Sequence, residues 1–408
     1  TGDENTAIGS SALLLNTTGQ NNVAIGREAL RANTTASNIT AVGFNSLLAN
    51  TTGASNVAVG TNSLLTMTTA SFNVAVGHNA LRTSNGARNV GVGNDAGRSI
   101  TSGIQNIALG DDTMYNVTTG NSNVGVGHDA LFTSTTGSNN TAVGVNALRV
   151  ATGSQNTAVG FQAMFGTTTG VSNTAVGYSA LGSAATTASY LTAVGRNALR
   201  YNTSGSSNVA LGYNTLEDNT TGGSNTAVGT SALAQNTTAS NNTAIGKSAL
   251  TANTTGAQNT AVGTSALAAN TTASNNTVMG YNAGDNITTS PSNTIMGQNA
   301  GTNITTGNGE NVLIGNRAGV NMSTGAQNVI MGDNAGASLT TPVQNTFLGD
   351  NSGDAITTGS HNTILGRFNG NQGGLDIRTT NNNIVLSDGA GNPKVFVDSS
   401  GNFNMKGI

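Results

Sequence analysis

Apolar and polar residues alternate along the chain in a short pattern that recurs about every 17 residues. Each copy contains a segment such as Asn-Thr-Ala-Val-Gly, whose glycine recurs 22 times between Gly9 and Gly366. We number the positions of each copy from this glycine, which is position 0. Position −1 is always Val, Ile, Leu or Met, position −3 is Thr, Val or Ile, and position −4 is Asn in all but two copies. This alternation predicts a short β-strand with positions −3 and −1 on one side and −4, −2 and 0 on the other.

A second inward-facing segment is predicted just after the glycine. Position +3 is small, and position +4 is usually Leu, as in Leu30 and Leu250; a polar turn such as Asn-Thr-Thr-Gly follows. Most charged residues, among them Arg27 and Glu28, lie at +1, +2 and +5, and we expect these columns to face water. A period this short is typical of one coil that stacks on its neighbours. The chain is therefore predicted to be all-β, a parallel β-roll or β-solenoid of about 22 coils with a 17-residue repeat.

Six coils exchange one core residue for another. Where +4 becomes Gly, position +7 becomes large and apolar, as conserved core volume requires. Five of these Gly-type coils are consecutive near the end, and there position −2 grows from Ala to larger residues such as Ile295 and Phe347. From Gly370 we expect the repeat to stop, and 384–386 and 395–397 to form a hairpin. The predicted domains are Leu-type coils over 1–277, Gly-type coils over 278–369 and a small C-terminal β-meander or neck over 370–408.

Two columns of the repeat are predicted to be structural. The asparagines at −4 should form a ladder of hydrogen bonds between coils, as stacked side chains do in parallel arrays. The glycine at position 0 requires either a positive φ or a close backbone neighbour. The representative residues of these columns are Asn22, Asn56, Asn73, Asn225, Asn259, Gly26, Gly60, Gly77, Gly229 and Gly263.

Composition limits the possible functions. Charged residues make up 8% of the chain, against about 25% in ordinary soluble domains, so only a core one coil wide is expected. The net charge of −3 gives no basic surface for nucleic acid. No apolar run is long enough to span a bilayer. We therefore expect neither nucleic-acid binding nor membrane insertion.

Candidate chemistry is sparse in the sequence. No nucleophile–base–acid set stands out, and the acidic residues look dispersed and lack the pattern of calcium-binding rolls. The sequence thus predicts a protein that is not an enzyme and has no catalytic residue, cofactor or metal. The residues considered and set aside as ligands are His78, His128, His361, Asp95, Asp111, Asp112 and Asp333.

The predicted strand is uncharged on both faces, although a lone solenoid needs only one apolar face. One face can fill the coil while the other packs against partner chains. Three chains about one axis would satisfy this requirement, and about 22 coils stacked ~4.8 Å apart would give a rod of roughly 105 Å. We therefore predict a homotrimeric fibre.

The segments 5–9, 22–26 and 225–229 resemble the head repeats of YadA-like trimeric autotransporter adhesins. The resemblance covers about 5–366, although the 17-residue coil is longer than the usual head repeat. It implies parallel β-rolls, three associated chains and binding to host surfaces. The tail over 383–402 resembles the segment before the self-cleaving chaperone domain of bacteriophage tail fibres, which favours a phage-type fibre over a bacterial adhesin.

These expectations define a structural, tail-fibre-like protein for attachment to a host or surface. Its expected partner is a cell-surface glycan or protein receptor, and its expected location is extracellular, on a virion tail fibre or cell surface. One alternative is a bacterial surface adhesin or filament subunit. Another is an ice- or crystal-binding solenoid, in which paired Thr at +8 and +9 tile a face. A polysaccharide-degrading enzyme would instead require clustered carboxylates.

Overall fold

The computed structural model describes residues 2–182 and 186–405. These residues are all-β, without a helix, and form a parallel β-solenoid of about 22 turns with 17-residue spacing. The predicted fold class is confirmed at this level. Two compact units divide the chain, 1–204 and 205–408.

The first unit contains twelve three-residue strands, one for each coil. They are β1 Thr6–Ile8, β2 Val23–Ile25, β3 Thr40–Val42, β4 Val57–Val59, β5 Val74–Val76, β6 Val90–Val92, β7 Ile107–Leu109, β8 Val124–Val126, β9 Thr141–Val143, β10 Thr157–Val159, β11 Thr174–Val176 and β12 Thr192–Val194.

The second unit contains ten further coil strands and then a C-terminal segment. The coil strands are β13 Val209–Leu211, β14 Thr226–Val228, β15 Thr243–Ile245, β16 Thr260–Val262, β17 Thr277–Met279, β18 Thr294–Met296, β19 Val312–Ile314, β20 Val329–Met331, β21 Thr346–Leu348 and β22 Thr363–Leu365. The C-terminal strands are β23 Asn371–Gln372, β24 Leu375–Asp376, β25 Ile384–Ser387, β26 Pro393–Val397 and β27 Phe403–Met405.

Within each unit, strands of consecutive coils pair in parallel and in register, so each coil position becomes a column. In β14 and β15, for example, Thr226 pairs with Thr243 and Val228 with Ile245. Position −2 is the inner column, and its alanines are fully buried apart from Ala7 in the first coil, whereas −3 and −1 are half-buried or exposed. The predicted change of cross-section near residue 277 lies inside the second unit, where β16 and β17 pair without a break in register.

The rest of the coil closes around the inner column through residues with positive φ. Leu30, Leu64 and Leu250 at +4 are fully buried and have φ values of 53°, 49° and 51°. A left-handed conformation is costly for a residue with a Cβ. In Gly-type coils the same position, as in Gly284 with φ 53°, has no such cost, and Ile287 at +7 is fully buried instead.

The C-terminal segment continues the stack before it leaves the repeat. β25 pairs in parallel with β22, with Ile364 opposite Val385, and the Asn383 N–H donates to Asn362 Oδ1 at 2.9 Å. The expectation that the repeat stops at Gly370 is therefore corrected, because one more rung follows an excursion over 367–382. The predicted hairpin is present, since β25 pairs antiparallel with β26, and β26 pairs antiparallel with β27.

The turn between β25 and β26 is held by one carboxylate. Asp388 Oδ1 accepts from the backbone N–H groups of Ala390 at 3.0 Å and Asn392 at 2.8 Å. These bonds favour the charged form, and the Asn392 N–H is the main reason why the pKa of Asp388 falls to about 2.

Candidate functional site

The most extensive surface feature is the outward face of the parallel strands, positions −3 and −1, which we call the outer stripe. It contains only Thr, Val, Ile, Leu and Met. Ile245 is 40% exposed, Met279 39% and Leu365 40%, even though each is flanked by stacked neighbours. The C-terminal rung extends it through Ile384 and Leu386, both exposed. Each unit therefore presents an uncharged, largely apolar sheet face of regular rung spacing.

The asparagines at −4 are buried and connect neighbouring coils. The Oδ1 of Asn22 accepts from the Ile39 N–H at 3.0 Å, and that of Asn56 accepts from the Asn73 N–H at 2.9 Å. In the second unit, the Oδ1 of Asn225 accepts from the Asn242 N–H at 3.0 Å. Each side chain thus replaces a rung of the backbone ladder with an amide acceptor.

The other end of each asparagine amide binds the polar turn. Asn259 Nδ2 donates to the Ala273 carbonyl at 2.9 Å, while its Oδ1 accepts from the Asn276 N–H at 3.0 Å. Asn225 Nδ2 donates to the Ala239 carbonyl in the same way. One side chain therefore fixes both the strand start and the turn, and the geometry gives these residues a structural role.

The repeat glycines meet both physical requirements considered from the sequence. Their φ values lie between 127° and 135° in the five representative coils, a region that other residues rarely adopt. A Cβ on Gly229 would lie 2.7 Å from the carbonyl of Gly246, and one on Gly26 would lie 2.6 Å from the Gly43 oxygen. The representative glycines are Gly26, Gly60, Gly77, Gly229 and Gly263.

A second buried ladder at position +7 was missed by the sequence analysis. In Leu-type coils, Asn253 Nδ2 donates to Asn236 Oδ1 at 2.9 Å and to the Gly256 carbonyl at 2.9 Å. The ladder ends at Asn270, whose Oδ1 is buried without a hydrogen bond before the apolar Ile287 of the next coil. The signal available in the sequence was the run of Asn at +7 in consecutive Leu-type coils.

Acidic residues that look dispersed in the sequence are brought together in the first unit, which corrects that expectation. They occupy positions +1 and +2 of three consecutive coils, so coil stacking makes them neighbours. We call Asp95, Asp111, Asp112, Asp129 and His128 the acidic patch. Its signal in the sequence was the occupation of the same two columns in successive coils.

Arginine side chains balance the two ends of the acidic patch. Arg98 lies 3.6 Å from Asp95, and Arg149 lies 3.1 Å from Asp129. The side chains of Asp95 and Asp129 are only 16% and 13% exposed, so the expectation that column +2 faces water is wrong there. Each of these two carboxylates lies against the arginine with which it pairs.

Aromatic rings occupy the same column between the two arginines. Tyr115 and Phe132 stack with their ring centroids 5.3 Å apart. Arg98 lies 5.1 Å from the Tyr115 centroid, and Arg149 lies 4.8 Å from that of Phe132. The row places cations over ring faces, a favourable arrangement.

Asp112 is the central carboxyl of the acidic patch. Burial, followed by the charges of Asp111, Asp95 and Asp129, raises its pKa above the ordinary value. Three groups, Asp111, Asp112 and His128, offer ligand atoms within 4.8 Å of one another and could hold a metal ion. His128 and Asp111 are about half exposed. The patch therefore places a carboxyl whose pKa is raised next to three further carboxyl groups.

Of the remaining candidates, His78 borders the acidic patch. Its Nδ1 lies 3.1 Å from Asn94 Oδ1, and Asn94 Nδ2 donates to Asp111 at 3.0 Å. His361 and Asp333 belong to the second unit. Threonine hydroxyls at +8 donate to the next coil, as from Thr34 to the Thr51 carbonyl at 3.1 Å. An ice- or crystal-binding face would therefore depend on column +9, where Thr35 is exposed.

Within 2–182 and 186–405, no helix is long and apolar enough to cross a membrane. No protein-family model matches the chain, and no curated protein matches it.

Proposed function

We propose that this protein is a structural fibre protein that associates with copies of itself along the outer stripe and serves attachment to a host or other surface. The single observation that supports this is the uncharged, exposed outer stripe. Monomeric soluble proteins keep exposed apolar patches small, so an exposed apolar face of this extent indicates an interaction surface.

The area supports association with a second copy. Burial of apolar surface contributes about 25 cal/mol per Å², and full burial of a Val or Leu side chain contributes about 1.5–3 kcal/mol. A fully exposed Val or Leu side chain therefore presents roughly 100 Å² of apolar surface. The most exposed stripe side chains of the second unit are about two-fifths exposed and the others less so, so this stripe presents on the order of several hundred Å², which approaches the ~800 Å² share of one partner in a standard interface. A partner that matches a 17-residue ladder rung for rung is another copy of the same chain. The resemblance to adhesin head repeats supports three chains.

Light scattering tests the association. We expect a native mass three times 40.4 kDa. The double substitution Val228→Lys/Ile245→Lys, which places charge on two adjacent stripe rungs, should weaken association at least ~10-fold because a charge is costly to bury. Thr238→Lys/Thr255→Lys, on the exposed column +9 of the same coils, is the matched control. A monomeric native protein would overturn the proposal.

Attachment is tested separately on cells and on immobilised polysaccharides. The assembled protein should be retained by some of these surfaces, and many copies on one assembly should increase retention through multivalency. Retention no greater than that of an inert protein of equal mass would leave a structural fibre without the attachment role.

A second candidate function, glycan cleavage, is favoured by the acidic patch. Glycosidases use one protonated and one charged carboxyl, and burial, followed by the neighbouring carboxylates, raises the pKa of Asp112. Loss of viscosity of an anionic or neutral polysaccharide on incubation would support cleavage. Asp112→Asn should abolish that loss, whereas Asp333→Asn in the second unit should not.

A further inference from the structure

The outer stripe alone cannot set the axial position of one chain against another. Every rung offers Thr, Val or Ile at −3 and Val, Ile, Leu or Met at −1, and rungs pair residue for residue along the stack. A slip by one rung, about 4.8 Å, brings equivalent side chains together again. Repetitive strands specify register weakly for this reason.

The C-terminal segment carries an apolar face that occurs once. Residues directly opposite one another in paired strands lie on the same face. Ile384 is opposite Val397, and Val397 is opposite Phe403; Leu386 is likewise opposite Val395, and Val395 is opposite Met405. The meander face consists of Ile384, Leu386, Val395, Val397, Phe403 and Met405.

The meander face is exposed and continuous with the outer stripe. Phe403 is 64% exposed and Met405 55%, while Ile384 and Leu386 occupy the stripe positions of the last rung. Val385, on the opposite side, is fully buried as the continuation of the inner column. With roughly 400 Å² of apolar surface, the face is as large as the largest patch on a typical monomer.

We infer that the meander face is the register clamp of the assembly, and that it packs against the same face of a second copy. This inference rests on the proposed self-association. Because Phe403 is larger than every residue of the outer stripe and its combination with Met405 occurs at one end only, a slipped pair would place Phe403 against the smaller side chains of another rung. It would also leave part of both meander faces in water. The in-register arrangement alone covers all of them.

The absence of cysteine from the chain allows register to be measured by disulfide formation. Val228 and Val262 occupy position −1 two rungs apart, about 9.6 Å along the stack, beyond the ~7 Å reach between Cα atoms in a disulfide. Full-length chains with Val228→Cys and Val262→Cys are co-expressed and oxidised, and disulfide-linked peptides are quantified. If the chains associate in register, disulfide links should form between identical positions only.

Phe403→Ser/Met405→Ser tests the clamp, with Tyr281→Ser/Val343→Ser as a control that removes exposed apolar side chains elsewhere in the second unit. We expect the oligomeric mass to persist and mixed 228–262 links to rise at least ~5-fold in the clamp variant alone. Met405→Ser, at the edge strand, serves if the double variant does not fold, and should raise the mixed links ~2-fold.

Unchanged links in the folded clamp variants would overturn the inference and leave self-association intact. A clamp variant that becomes monomeric would also overturn it, because the face would then drive association and not register. A monomeric parent protein would overturn both proposals, and light scattering on the parent distinguishes this outcome from the other two.

Discussion

Leu-type and Gly-type coils share one backbone path but fill their interior differently. Leu267 at +4 has φ 55° and is fully buried, whereas Gly301 at +4 has φ 56°. In the Gly-type coil, Ile295 at −2 and Ile304 at +7 lie where the leucine would be, since a Cβ on Gly301 would be 3.1 Å from each. The path is thus set by the ladders, and the side chains adapt to it.

The comparison extends to hydrogen bonding. The Leu-type coils of the second unit close their +7 corner with the second asparagine ladder, in which Asn270 donates to Asn253 at 2.7 Å. Gly-type coils close the same corner with a buried aliphatic side chain such as Ile287. A polar ladder and a buried apolar side chain are therefore interchangeable at +7. In the Gly-type coils the change is accompanied by Gly at +4, whereas Met67 and Val117 are buried at +7 beside a large residue at +4, Leu64 and Met114.

The largest expected effect concerns what both coil types share. Gly229→Ala and Gly297→Ala should each lower the free energy of unfolding by about 3–5 kcal/mol, from backbone strain and overpacking. A Cβ would lie 2.7 Å from the Gly246 carbonyl carbon in the first and 2.6 Å from the Gly315 carbonyl carbon in the second.

Urea unfolding measures both changes. Gly389→Ala is the control, because no atom lies within 4 Å of its Cβ position. A small effect at Gly229 with a large one at Gly297 would mean that the two coil types do not share one backbone requirement.

The next effect tests whether the coil types interconvert. Leu267→Gly should destabilise by about 2–4 kcal/mol through the cavity it leaves. Adding Asn270→Ile should restore at least half of that loss, because the new side chain fills the corner beside Ile287. The double substitution would move the boundary between coil types by one coil.

A double-mutant cycle in urea gives the coupling energy between the two positions. Additive losses would show that the exchange at +4 and +7 is not a volume exchange. Leu250→Gly/Asn253→Ile, placed between Leu-type coils, is the comparison variant and should recover less.

A smaller effect is expected from the ladder at −4. Asn259→Ala in a Leu-type coil leaves the buried Asn276 N–H without its acceptor and removes one of the two amide donors to the Ala273 carbonyl, which keeps its bond from Asn270 Nδ2. Asn311→Ala does the same to Asn328 in a Gly-type coil. Each should cost about 2–3 kcal/mol by thermal or urea unfolding. Unequal losses would show that the second ladder supports the first.

The smallest effect on stability is expected from Asp112, which lies outside the packed interior of the coils. The folded-state pKa of Asp112 is raised, so its negative charge destabilises the folded state at neutral pH. This destabilisation is lost as the pH falls toward the pKa of Asp112 in the unfolded chain. Asp112→Asn should therefore stabilise slightly at pH 7, by at most about 0.5 kcal/mol, and change nothing at pH 3. A melting temperature that falls at pH 7 would contradict this.

The strand and its two faces could be predicted because the side chains at −4 to 0 follow a two-residue alternation, and the β-strand is the regular structure with that period. The sequence did not reveal that +4 is left-handed, since a buried Leu such as Leu250 gives no sign of positive φ, and only its exchange for Gly hinted at it. The alignment of equivalent positions into columns was predicted. Asp95, Asp112 and Asp129 occupy one such column in consecutive coils, but they were interpreted as dispersed, so the acidic patch was missed. The extra rung at Asn383 was missed because an irregular excursion precedes it.

Coil-to-coil bonding also bears on how such a chain can change over generations. The ladder bonds join residues one coil apart, as between Asn225 and Asn242 or Thr237 and Thr254. An added or lost coil would therefore meet the same neighbours as before, and the odd-length intervals already fall in polar turns. Tandem duplication within the gene can thus lengthen or shorten the protein without redesign of its interior.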